Sequence, residues 1–213
     1  MKRYLYFVAV FIALLVMASC SWAGYYDEGH SGTEADPFII DSRSDFVEFR
    51  DRINAGSDPQ GAYYKLNTTS KTISLAKDYE KWTPIGTSYR PFTGHLDGNS
   101  HKITVNFDYF TLKEAALFGT IKTESGYAVK NLTVTTSSSG QVKGELVAGI
   151  VLNLYNASIE DCTFSGTLLA STSTGDYGAD TVAAGGIVQH MYSGTVKNCT
   201  VFNAGISSGP YYI

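Results

Sequence analysis

The sequence predicts an all-β protein, a parallel β-helix-like solenoid behind a short N-terminal capping helix. Three observations carry the prediction. A block of 16 residues, Gly149 to Phe164, returns without a gap at an offset of 37 as Gly186 to Val201. From Ala62 onward, strand-like runs are cut every few residues by Gly, Asn, Asp or Pro, the punctuation of short strands and tight turns. Only Arg43 to Asn54 has helical periodicity, with Phe46, Phe49 and Ile53 at i, i+3 and i+7.

The chain opens with the layout of a secretory signal peptide, residues 1–23. Lys2 and Arg3 lead, Tyr4 to Met17 is a run of 14 residues without a charge, and small residues follow at Ala18 and Ser19. The run falls short of the roughly 20 apolar residues a membrane-spanning helix needs. Two processing routes compete. One is ordinary cleavage after Ser21-Trp22-Ala23, ahead of Gly24; the other treats Met17-Ala18-Ser19-Cys20 as a lipobox and lipidates Cys20. Either exports the protein, as a secreted or cell-envelope surface molecule that touches a membrane only through that lipid. Residues 24–36 are polar and Gly-containing and read as a flexible mature N-terminus, in which Asp27, Glu28, Glu34 and Asp36 are solubilising charges. Residues 37–213 are ample for one domain with a real core.

Pro37-Phe38-Ile39-Ile40 reads as a strand. The helix follows, capped by Ser42 or Ser44 and stopped by Gly56. Past a turn at Ser57 to Gly61, strands are expected at Ala62–Leu66, Thr72–Leu75, Trp82–Gly86 and Lys102–Phe107. Between the last two, His95, Asp97 and His101 fall within seven residues. Asp97-Gly98-Asn99 is turn chemistry, with Gly98 supplying positive φ, and His101 opens the strand after it. His95 and Asp97, two residues apart, share a strand face. A metal would want a third protein ligand and supporting hydrogen bonds. The other histidines are His30, near the N-terminus, and His190, whose repeat equivalents are Thr120 and Asn153. A structural turn is therefore expected, with no catalytic, cofactor or metal site.

The repeat organises the rest. Ala116 to Val134 is a third copy with three extra residues before Val129. Val129, Ile159 and Val196 align as apolar residues, as do Leu132, Cys162 and Cys199, and Val134, Phe164 and Val201. Lys130, Glu160 and Lys197 between them are charged. Asn131, Asp161 and Asn198 stand where the in/out alternation skips a beat, and Asn and Asp tolerate left-handed backbone. Each copy thus reads as strand, bend, strand. Stacked copies give an apolar column inside, a polar one outside and an Asn/Asp column at the bend, the logic of a solenoid. Cys162 and Cys199 become inward core thiols, with a disulfide between them left open. The segments Thr135 to Gly140 and Ser171 to Asp180 are protrusions between copies.

The ordered motifs "WTPIG…PFTGHLDGNSHKI", "ALFGTI…VKNLTV", "AGIV…IEDCTF" and "GGIV…VKNCTV" resemble the GLUG-repeat proteins of bacterial secretion and cell surface, over about Ala62 to Val201. The namesake motif stands as Ala116-Leu117-Phe118-Gly119 in the first copy and opens with Gly149 and Gly186 in the others. The resemblance implies a right-handed parallel β-helix-like fold in adhesin-like or peptidase-associated surface modules. It brings no catalytic residue set.

Composition narrows function further. The net charge is −4, with 17% charged residues and no basic run, which argues against nucleic-acid binding. Three cysteines make neither a disulfide framework nor a zinc cluster. Glu160-Asp161 and Asp176 with Asp180 are the paired carboxylates a polysaccharide-cleaving β-helix would use, but only Lys130 and Lys197 share their column. Tyr25-Tyr26, Tyr63-Tyr64 and Tyr211-Tyr212 are assigned to core or edge packing ahead of stacking on sugars. The expected function is a non-catalytic, adhesin-like binding or display module for a surface ligand, protein or glycan. The alternatives are a polysaccharide-active lyase or hydrolase, or the N-terminal part of a larger surface protein. The helix covers the front of the solenoid; nothing comparable follows Val201, so an open last copy and end-to-end self-association are expected.

Export is checked by mass spectrometry of the native N-terminus. A mature chain beginning at Cys20 or Gly24 is expected, and intact Met1 in the cytoplasm would refute it.

Overall fold

Strand β1 (Phe38–Ile40) leads into helix α1 (Arg43–Ala55), and the local chemistry fixes both helix ends. The structure is a computed structural model and describes residues 29–76, 81–108, 113–124, 126–171, 182–202 and 204–208. The expected signal peptide with Cys20, Asp27, Glu28, most of the Ser171 to Asp180 loop and Pro210 to Ile213 lie outside these residues. Ser42 is the N-cap: its hydroxyl accepts from the Asp45 N–H while the Asp45 carboxylate accepts from the Ser42 N–H, a reciprocal capping box. Gly56, at φ 69°, ends the helix in the left-handed conformation. Residues 29–36, expected to be loose, form a turn in which the Asp36 carboxylate accepts from the Ser31 N–H at 2.8 Å and meets His30 Nδ1 at 2.7 Å.

Among the described residues, the strands that follow are arranged in four parallel sheets. The first stacks β1, β2 (Tyr63–Leu66), β4 (His95–Val105), β8 (Tyr127–Thr136), β12 (Ala157–Glu160) and β17 (Gly194–Lys197). Strands β3 (Thr72–Ser74), β13 (Thr163–Ser165) and β18 (Thr200–Val201) belong to the same sheet. The second comprises β6 (Glu114–Ala115), β10 (Leu146–Ala148) and β15 (Ala183–Gly185). The third holds β7 (Phe118–Lys122), β11 (Val151–Tyr155) and β16 (Val188–Met191). The fourth is β5 (Phe107–Asp108), β9 (Val142–Gly144), β14 (Thr167–Ala170) and β19 (Gly205–Ser208). From β6 the chain visits the second, third, first and fourth sheets in that order, three times over.

The register is the one the repeat predicts. Val151 pairs with Val188, Ile159 with Val196 and Phe164 with Val201, each at the offset of 37. One layer earlier, Ile159 faces Val129 and Phe164 faces Val134, and the register slips between Ser158 and Ile159, where the first copy carries its extra residues. Like residues therefore stack: Leu96, Val129 and Ile159 are all fully buried, as are Ile103, Val134 and Phe164. Gly149 is needed for close approach, because a Cβ there would lie 2.1 Å from the Gly186 carbonyl and 2.4 Å from the Phe164 ring.

At the front the interior is aromatic. Phe46, Phe49 and Ile53 of α1 are buried, and Phe49 lies 4.6 Å from Tyr64 and 5.7 Å from Phe92 between ring centroids. Trp82 stacks on Phe107 at 5.5 Å, with the Arg50 guanidinium 4.7 Å above the indole. The expected strand Trp82–Gly86 is not formed. Pro84 has no N–H to give a ladder, and Ile85 makes only a single bridge to Phe118. At the other end, residues homologous to the core are exposed among the described residues: Met191 50%, Val196 40%, Val201 40% and Ile206 51%. Their partners one layer back, Leu154, Ile159, Phe164 and Leu168, are each 0% exposed.

The turn expected at Asp97-Gly98-Asn99 is instead a bulge inside β4. Asp97 pairs with Lys130 and His101 with Leu132, so residues 98–100 oppose the single residue Asn131. The left-handed residues are Asn99 (φ 48°) and Ser100 (φ 59°), not Gly98. Gly98 is required for space: a Cβ there would sit 2.5 Å from the Asn131 carbonyl oxygen. His101 does not open a strand; it lies within β4, fully buried.

Phe164→Ala is expected to cost about 3–5 kcal/mol, as large core truncations do. Its stacked counterpart, Val201→Ala, should cost less than about 1 kcal/mol, as surface changes do. Urea unfolding of both variants checks the contrast, and equal losses would contradict the burial difference.

Candidate functional site

The outward face of the first sheet carries charges that alternate from layer to layer. Lys65 pairs with Asp97, Asp97 with Lys130, Lys130 with Glu160, and Glu160 with Lys197. Opposite charges on facing strands contribute roughly 0.2–1 kcal/mol each. One rung is closed as an ion pair, Lys130 Nζ to Asp97 Oδ2 at 3.7 Å.

Beside this ladder is an aromatic cluster. Tyr63 pairs with His95, and their rings stack with centroids 4.1 Å apart. Tyr127 meets both edge-on, at 6.4 Å from Tyr63 and 5.4 Å from His95. His95 Nδ1 is 2.6 Å from the Tyr127 carbonyl oxygen, which can only accept, so Nδ1 carries the proton of that bond. Lys130 Nζ sits 4.0 Å over the Tyr127 ring, a cation–π contact. Here a groove of about 290 Å³ opens, lined by Glu34, Tyr63, Lys65, Asp97, Tyr127 and Lys130. His95 also walls a second hollow of about 450 Å³ with Gln60, Thr93, Lys122 and Glu124. Partial burial, with Asp97 and Glu34 nearby, pushes the Tyr127 phenol up to about 12, because both influences disfavour a phenolate.

This geometry separates the three residues that the sequence set together. His95 and Asp97 share the outward face, as expected. His101 turns inward in line with Leu132, with Nδ1 3.0 Å from the Gly98 and Asn99 carbonyls and Nε2 3.1 Å from that of Thr68. The bulge carbonyls thus lie on one side of the ring and the Thr68 carbonyl on the other, and the nitrogen that carries the proton donates to the carbonyl it faces. Among the described residues no group of three or more His, Cys, Asp and Glu side chains is placed to hold a metal ion.

The other singled-out residues fall as follows. Asn131, Asp161 and Asn198 are all left-handed, at φ 55°, 51° and 52°. Asn198 donates to Asp161 at 3.1 Å, and Asn131 donates to Asp97 at 3.0 Å. Cys162 is buried, Cys199 partly so, and both are free thiols. His190 pairs with Asn153, which also faces Thr120, and it stacks at 4.1 Å on Tyr192, itself stacked at 4.2 Å on Tyr155. Of the pair Tyr63-Tyr64, Tyr64 is core, 1% exposed, while Tyr63 faces the groove. Sequence reasoning missed Tyr127, the role of Glu34, and Asn156, a second left-handed corner at φ 52° bonded to Ser193. The charge alternation through Lys65 and Asp97 was its available signal, hidden by the bulge that breaks the spacing.

No family model matches the chain. Over 141 residues it is 29% identical to a protein of Evansella cellulosilytica named "Putative Gly-rich membrane protein", a match covering 62% of this chain and 16% of that protein. Among solved structures it is similar to a "putative immunoglobulin A1 protease" from Bacteroides ovatus, with a TM-score of 0.53 at 16% identity. That match covers 82% of this chain and 60% of the other. It shows a shared fold, mostly β with parallel sheets. The chain spans less than two thirds of either protein.

Tyr127 gives a pH dependence of known sign. Its folded pKa lies above the ordinary value of 10, so the folded state holds the proton more tightly. The stability this supplies is complete below pH 10 and is lost as pH rises through about 12. Tyr127→Phe, which cannot ionise, should flatten the fall in stability across that window; an unchanged slope in urea unfolding would contradict it.

Proposed function

We propose that this chain is a non-catalytic binding or display module of the bacterial surface, a β-solenoid of the GLUG kind, and that it recognises hydroxyl-rich glycans at the Tyr63–Tyr127 groove. The carrying observation is the convergence of Tyr63, Tyr127, Lys65, Lys130, Asp97 and Glu34 on one groove. The ring faces are largely occupied, Tyr63 by His95 and Tyr127 by Lys130. What remains for a ligand is polar: phenol hydroxyls, ammonium groups and carboxylates, a set that hydrogen-bonds sugar hydroxyls. The in-register parallel sheets supply a rigid platform and support the solenoid reading. The Evansella relative, named a membrane protein, supports a place at the cell envelope, and export is part of the proposal.

A second reading has one observation in its favour. Glu34 and Asp97, two carboxylates, line the same groove with two lysines, the grouping a polysaccharide-cleaving enzyme would need. Against it, Asp97 is committed to structure: it accepts from the Asn99 N–H at 2.8 Å and from Asn131 at 3.0 Å and pairs with Lys130.

A glycan array probed with the full chain tests both. Binding should fall at least about tenfold, roughly 1.4 kcal/mol, in Lys130→Ala and in Tyr63→Ala. Binding to no glycan, or binding indifferent to both variants, would overturn the groove. New reducing ends or unsaturated sugars released from a bound polysaccharide, and abolished by Glu34→Gln, would establish the enzyme instead.

A further inference from the structure

The register that pairs Ile159 with Val196 and Thr163 with Thr200 sets Cys162 directly beside Cys199 in the next layer. Paired parallel strands lie about 4.8 Å apart, inside the Cα separation of roughly 4.4–6.8 Å that a disulfide requires. The two side chains are also oriented alike. Cys162 Sγ lies 3.1 Å from the Glu160 carbonyl and Cys199 Sγ 3.3 Å from that of Lys197, in each case the residue two back along the chain. Both thiols are free, and each also lies against a carbonyl one layer back, Cys162 Sγ at 3.8 Å from that of Val129 and Cys199 Sγ at 3.4 Å from that of Ile159.

Their surroundings differ. Cys162 is 0% exposed, whereas Cys199 is half-buried in the layer whose Val196 and Val201 are exposed. The pairing with Cys199 and then burial push the Cys162 thiol up, while the pairing with Cys162 holds Cys199 below the ordinary thiol value. The accessible sulfur is therefore the one that more readily becomes thiolate, the nucleophilic form.

We propose that Cys199 and Cys162 form a dithiol modification site, which exchanges with a disulfide of another molecule and closes into a covalent link between the last two layers. Cys199 thiolate attacks the donor disulfide. One donor sulfur leaves as thiolate, and the other stays in a mixed disulfide on Cys199. Cys162 then loses its proton to solvent and attacks Cys199 Sγ, expelling the second donor thiolate. Two protein thiols are oxidised, and one donor disulfide is reduced to two thiols. An exported location would keep such a link oxidised. Its structural consequence is to tie β17 and β18, the strands at the exposed face, to β12 and β13.

The test uses the reduced full chain and oxidised glutathione, with acid quenching, alkylation and peptide mapping. The expected product has lost two hydrogens, carries a Cys162–Cys199 linked peptide and retains no glutathione. Its Tm should rise by several degrees and return on reduction. Cys162→Ala should stop at glutathione held on Cys199; Cys199→Ala should leave Cys162 unmodified until the protein is denatured. Glutathione retained on Cys199 of the wild-type protein without closure would overturn the proposal. So would thiols that react only after unfolding, or a linked product that is solely intermolecular. Should the alanine variants fail to fold, the wild-type peptide map decides alone. None of these readouts involves glycan binding, so the groove and the dithiol stand or fall separately.

Discussion

Parallel, in-register pairing between strands one repeat apart governs the rest of this structure. Each backbone ladder joins a residue to its equivalent in the neighbouring copy, as Ile159 joins Val196 and Thr163 joins Thr200. Every side-chain position is consequently repeated one layer along, and its chemistry must tolerate its own likeness as a neighbour. Apolar residues do so inside, where Val129 and Ile159 bury one another. Like charges would not, and the exposed column alternates instead: Lys65, Asp97, Lys130, Glu160, Lys197.

The same constraint explains the bends. A chain that must turn at the same height in each layer needs a residue content with left-handed backbone at that height, and Asn131, Asp161 and Asn198 supply it. Their side chains also fit a column, since an Asn amide can donate to the Asp carboxylate beside it, as Asn198 does to Asp161. In β4 the bend is enlarged to three residues, and the buried His101 ring spans the enlargement, with the Gly98 and Asn99 carbonyls in reach of Nδ1 and the Thr68 carbonyl in reach of Nε2. A histidine that looks like a ligand in the sequence is thereby a brace for backbone that would otherwise be buried without partners.

The candidate groove arises where the repetition is imperfect. Tyr63, His95 and Tyr127 gather beside the bulge, and Glu34 reaches the same groove from the segment before β1. Later layers place Ser158 and Thr195 in register with Tyr127, so the aromatic cluster belongs to the front of the molecule alone. The dithiol lies at the opposite end, in the inward column that His101 begins and Leu132 continues.

The sequence alone determined what depends on local chemistry and on identity between copies. Ser42 and Gly56 bound the helix, the offset of 37 set the pairing of the last two layers, and the apolar positions of each copy marked the core. Periodicity makes these legible because one copy reads out the environment of the next. Tertiary structure alone decided what depends on breaks in that periodicity. It turned Gly98 to Ser100 into a bulge, sent His101 inward while leaving His95 and Asp97 outside, and kept Trp82 to Gly86 from forming a ladder. It also brought Glu34 to Tyr127 across 92 intervening positions of chain. The physical reason is that a bulge shifts side chains between faces without changing composition, and a groove between distant segments leaves no spacing in the sequence from which to read it.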